Sequence, residues 1–216
     1  MMPTSTERVR VGPQGLPGML DMPADAAALV LCTHGGGNSA LSTSKRQVAQ
    51  VLSGYRVGTL LLDLPGAVKA AGWEGPQDIS SLAARIGQAL DWVAGQRALA
   101  AMPIGFFGAG IGAAAALATV AERPGRVAAV VSFGGRLDLA AHCLERVDAP
   151  IMLIVGDADR AVVEINRAAL RMLACNKRLE VLPGAAHLFQ EPGTLDSVAE
   201  LAAAWFTSHL VHRRFM

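Results

Sequence analysis

Hydrophobic positions along the chain follow two alternating rhythms. Short continuous apolar runs, rich in Val, Leu and Ile, are separated by longer stretches whose apolar residues recur every three or four positions. The first rhythm belongs to strands buried on both faces, the second to helices with one buried side. Strands are predicted over residues 27–33, 56–63, 103–107, 126–133, 150–155 and 178–182, and a short leading hairpin over 9–11 and 18–21. Helices are predicted over 43–53, 78–96, 111–122, 160–173 and 194–211. In the second helix Leu82, Ile86, Leu90 and Val93 hold helical spacing, and Asp78 is placed to cap its start. Strands alternating with helices imply a mostly parallel, twisted sheet covered on both faces, a three-layer αβα sandwich. In open sheets of this kind ligands bind beyond the carboxyl ends of the strands. His34, Asp63, Gly110, Asp159 and His187 each fall just after a predicted strand, so they are expected along one rim of the sheet.

Composition narrows the classes. With 216 residues, a single domain over 1–216 is expected, with no insertion long enough to form a separate lid domain. Hydrophobic residues make up 52% and charged residues 17%, which excludes a disordered chain. The net charge of +1 gives no electrostatic reason to expect nucleic acid or an anionic membrane as partner. No apolar run is long and uninterrupted enough to span a bilayer. The first residues contain no apolar signal-peptide core, and Cys32, Cys143 and Cys175 lie too far apart for a zinc motif or a disulfide framework. A cytoplasmic protein is therefore expected, with no metal and no cofactor, acting on a small-molecule substrate or ligand. Composition leaves its oligomeric state open.

Four turns carry the candidate chemistry. They are His34-Gly35-Gly36-Gly37, Gly108-Ala109-Gly110-Ile111-Gly112, Val155-Gly156-Asp157-Ala158-Asp159 and Pro183-Gly184-Ala185-Ala186-His187. In this order, over about residues 27–210, they resemble the α/β-hydrolase superfamily and within it the small, lidless, dienelactone-hydrolase-like branch. The resemblance implies the α/β-hydrolase fold and ester, lactone or thioester hydrolysis. It implies that His34, Gly35 and Gly36 form the oxyanion loop, where glycine lets backbone N–H groups approach a developing negative oxygen. It implies a second oxyanion donor in the N–H of Ile111, and a catalytic pair of His187 with Asp159, Asp157 being the runner-up for the acid. Either aspartate could instead cap the helix that follows.

At one position the chain departs from this pattern. The elbow centre, which bears the nucleophile in a Gly-x-Ser-x-Gly turn, is Gly110. Loss of a triad nucleophile costs about six orders of magnitude in turnover. No neighbour is a convincing substitute: Ser132 reads as a core residue, Ser39 and Ser42 as cap and turn residues, and Cys32 as inert within a strand. Asn38 and Asp63 could line the pocket or simply cap turns. Three functions follow: a hydrolase altered or inactivated at 110, a non-covalent general-base enzyme (isomerase, lyase, cyclase or water-using hydrolase) built on His187 and Asp159, or a ligand-binding pseudo-hydrolase. A fourth, minor reading takes Gly108-x-Gly110-x-x-Ala113 as a dinucleotide fingerprint, with Arg136 meeting a 2′-phosphate. It leaves the other three turns unexplained, and no acidic residue ends the next strand.

Overall fold

The computed structural model describes residues 4–34, 43–64, 78–185 and 193–212, with backbone alone at 34 and 43–45. Among these, eight strands form one sheet: β1 Thr4–Val11, β2 Leu16–Pro23, β3 Ala28–His34, β4 Val57–Leu62, β5 Ile104–Ala109, β6 Ala129–Phe133, β7 Ile151–Gly156 and β8 Lys177–Leu182. Their spatial order is β1-β2-β4-β3-β5-β6-β7-β8. The hairpin β1–β2 runs antiparallel and β2 pairs antiparallel with β4; every later pairing is parallel. The predicted hairpin is therefore present, and longer than its apolar residues suggested, because β1 pairs with β2 along its whole length while staying largely exposed.

Among the described residues five α-helices cover the sheet: α1 Thr43–Gly54, α2 Ile79–Gly95, α3 Ile111–Glu122, α4 Arg160–Met172 and α5 Thr194–Phe206. Asp78 caps α2, accepting from the N–H groups of Ser80 and Ser81 at 3.2 and 3.1 Å. The helix predicted to run through 211 ends its α-helical part at Phe206 and continues as a wider π turn, Thr207–Val211. A 3-10 helix, Leu137–Arg146, fills what reads in the sequence as a connection; its apolar Leu137, Ala140, Cys143 and Leu144 all point into the core.

The expected three layers are present. Strand residues alternate between two cores, as a pleated strand requires. In β3, Leu29 and Leu31 join the core under α2, α3 and the 3-10 helix, while Ala28, Val30 and Cys32 join the core under α1 and α5. Helix α3 is buried on every side from Gly112 to Ala121. Alanine is suited to that place, because an all-round apolar helix of small side chains lets the sheet and two neighbouring helices approach together. The strand after β3 lies on one side of it and β5 lies on the other, so the chain reverses its winding between β3 and β5. Such a reversal is a topological switch point, and open α/β sheets bind ligands beyond the carboxyl ends of the strands that flank one.

Candidate functional site

The carboxyl ends of β3 and β5 fall where the sequence places its candidate chemistry. His34 ends β3 in register with Ala109, the last residue of β5, and Gly110 follows directly. Asp63, after β4, and Asp159, after β7, lie along the same rim. Of the predicted site residues, Gly35, Gly36 and His187 lie outside the described residues, as do Asn38, Ser39 and Ser42. The expectation of a common rim is thus met for His34, Asp63, Gly110 and Asp159.

The turn at Gly110 has a specific shape. Its φ of 54° and ψ of −124° lie in a region that side-chain-bearing residues rarely occupy. Two hydrogen bonds clamp it to the turn after β6: Gly110 N–H donates to Phe133 O at 3.2 Å, and Arg136 N–H donates to Gly110 O at 3.1 Å. Gly108 permits the sharp return of the chain, since a Cβ there would come within 2.6 Å of the Ala113 Cα. At Gly110 the opposite holds: among the described residues a Cβ would meet no heavy atom within 4 Å. The described residues therefore leave side-chain space at the bend that glycine does not fill. Ile111 opens α3, so its N–H has no acceptor within the helix by position. Thr33 ties the neighbouring strand to this point; it is buried, and its hydroxyl donates to Gly112 O at 3.1 Å.

The two aspartates after β7 have different duties. Asp159 caps α4, with Oδ1 accepting from Val162 N–H at 3.1 Å. Asp157 reaches the other way, and its Oδ1 accepts from Gly184 N–H at 2.7 Å. Two backbone bonds reinforce that link: Asp157 N–H to Leu182 O at 3.1 Å and Ala158 N–H to Ala185 O at 3.2 Å. Gly156 allows so close an approach, because a Cβ there would lie 2.1 Å from Ala185 O. The root of the turn that leads to position 187 is thereby bound against the turn that carries Asp159. On the opposite face, α1 and α5 are joined side by side, by Gln47 donating to Asp196 and by Tyr55 OH donating to Glu200 at 2.7 Å.

The remaining candidates resolve into structural roles. Ser132 is fully buried in β6, in register with Gly108, as its core reading anticipates. Cys32 is buried within β3. Arg136, considered for a 2′-phosphate, forms a two-pronged pair with Asp138 at 2.9 and 2.7 Å. The pair raises the pKa of the guanidinium and holds the Asp138 carboxyl below the usual carboxylate range. Among the described residues no group of His, Cys, Asp and Glu is arranged to hold a metal ion, and no helix is long and apolar enough to cross a membrane. The sequence reading misses Thr33 and Asn166. Asn166 leaves a signal in hindsight: it falls on the apolar stripe of α4 with Val162, Val163 and Ala169, where an amide is out of place.

Comparison with known proteins agrees with this fold. The model of the dienelactone hydrolase family matches residues 69–210. The crystal structure of a dienelactone hydrolase from Anabaena variabilis superposes with a TM-score of 0.89 at 42% identity, covering 96% of this chain and 98% of that one. Est1E from Butyrivibrio proteoclasticus shares the fold at a TM-score of 0.76 and 15% identity, over 94% of this chain and 98% of its own. A Mycobacterium tuberculosis protein, provisionally named a phosphoribosyl transferase, is 43% identical over 210 residues, which is 96% of this chain and 47% of the relative. The chain therefore spans about half the length of the curated relatives it matches.

Proposed function

The chain belongs to the dienelactone hydrolase family, and from that premise we propose that it takes a small carboxylic ester, lactone or thioester at the elbow and hydrolyses it without a covalent intermediate. The observation that carries this reading is the bend at Gly110, with its positive φ and side-chain space left open among the described residues. In the proposed reaction the substrate carbonyl lies over this bend. The N–H groups of Ile111 and of the Gly35–Gly36 loop stabilise the oxyanion. His187, oriented by Asp159, removes a proton from a water held in the space beside Gly110. The water oxygen bonds to the carbonyl carbon, the bond to the leaving oxygen or sulfur breaks, and His187 returns the proton to the leaving group. Products are the acid and the alcohol or thiol, or the hydroxy acid from a lactone. Asp159 is preferred to Asp157 because the family pattern places the acid three residues after the glycine that ends the strand, here Gly156.

Phosphoribosyl transfer is not proposed. The relatives bearing that name are about twice as long, and most of this chain matches the hydrolase family model.

Two variants test the reading. Gly110→Ser restores a nucleophile and should raise kcat/KM on short p-nitrophenyl esters by at least about a hundredfold. His187→Ala in the unaltered chain should abolish the residual turnover. A folded Gly110→Ser protein with no gain, or turnover unmoved by His187→Ala, would reject it.

A further inference from the structure

We propose that Asn166 is a positioning residue that sets the elbow and the acid-bearing start of α4 at a fixed spacing. Its side chain is fully buried. The Nδ2 group donates twice, to Val162 O and to Gly135 O, both at 2.9 Å. Two carbonyl acceptors also fix which end of the amide faces them, since only the nitrogen can donate.

These two bonds join the halves of the site. On one side, the residue whose carbonyl Asn166 binds is Val162, and Val162 N–H is the group that Asp159 caps. On the other, Gly135 C=O belongs to the same peptide unit as Arg136 N–H, which donates to Gly110 O at 3.1 Å. That peptide is trans, so its carbonyl and its N–H point in opposite directions. One rigid plane therefore takes the Asn166 amide on one edge and holds the elbow on the other. The plane has little freedom to shift sideways, because even a Cβ at Gly135 would come within 2.3 Å of the Ser132 hydroxyl. A tilt of the plane would move the elbow, and a shift of α4 would tilt the plane.

Stability alone does not account for an amide here. Among the described residues Asn166 Oδ1 has no hydrogen-bond partner, although the side chain is fully buried. A buried acceptor left unpaired is destabilising, and leucine of similar size would avoid that cost. What leucine lacks is the pair of diverging donors.

The test uses the full 15N-labelled chain and reads amide hydrogen exchange, unaltered and with Asn166→Leu. Exchange at Gly110 and Arg136 should accelerate at least about tenfold beyond any change at Leu29 in β3 and Leu60 in β4. A folded Asn166→Leu chain in which both amides stay within about twofold of the unaltered rates overturns the proposal. Should that variant not fold, the unaltered chain decides. Gly110, Arg136 and Val162 must then open with one common free energy across denaturant concentrations, and separate openings reject the link. A kinetic arm rests on the hydrolase reading above: in an active Gly110→Ser chain, Asn166→Leu should lower kcat about tenfold and leave KM within about twofold. An unchanged kcat there overturns the proposal. An inactive Gly110→Ser chain defeats only the hydrolase reading, because exchange still judges Asn166.

Discussion

At position 110 two requirements pull apart. The bend needs a positive φ, which glycine adopts without penalty, whereas nucleophilic catalysis needs a side chain in that same conformation. The structure retains the bend, so a serine would meet a backbone cost, and among the described residues it would meet no steric one. Gly110→Ser is therefore expected to lower stability by about 1–3 kcal/mol in urea unfolding while the chain stays folded. A similar accounting applies to Asn166 and Thr33. Each is a buried polar residue whose bonds run to backbone groups of the elbow region, on Gly135 and Gly112. The apolar stripe of α4 marks Asn166 as out of place, but neither partner can be read from one sequence, because the partners lie 31 and 79 residues away.

Among the elements, the turns after β7 and β8 are the most tightly matched. Gly156 lets Ala185 pass over it, and Asp157 binds Gly184. Gly156→Ala forces a Cβ into a backbone oxygen, which cannot rotate away as a side chain could. It should lower Tm by about 5 °C in thermal unfolding and disturb the 183–185 turn. Helix α2 offers a pH-dependent prediction. The Asp78 carboxyl lies below the usual carboxylate range because Ser80 N–H and Ser81 N–H donate to it. A depressed folded-state pKa contributes stability above the unfolded carboxylate range of about 3.9 and loses it as pH falls through the folded value. Asp78→Ala should therefore lower Tm at neutral pH, and the gap should narrow below about pH 4. The helix and its cap are legible from Asp78 and the 82-86-90-93 stripe, since both signals are local. The 3-10 helix is not: its segment is short, and only the core that buries Leu137, Ala140, Cys143 and Leu144 explains why it coils.

Over the whole molecule, the three cysteines test whether the layers are as closed as described. Cys32 and Cys143 are buried, Cys175 is half-buried, and none forms a disulfide. Burial pushes the thiols of Cys143 and Cys175 above the ordinary cysteine range. Labelling with a thiol reagent at mildly alkaline pH should reach Cys175 first, and should reach Cys32 and Cys143 only when guanidinium unfolds the chain; prompt labelling of all three would mean a looser core. The alternation of apolar runs and helical stripes already determined the parallel sheet, its two covering layers and the rim that holds Gly110 and Asp159, because strand and helix periodicities are written residue by residue. Tertiary structure alone decided that Asp157 holds the turn after β8, and that one peptide plane stands between Asn166 and the elbow. Those assignments depend on contacts between segments far apart in the chain, and no local pattern encodes which distant carbonyl a side chain will meet.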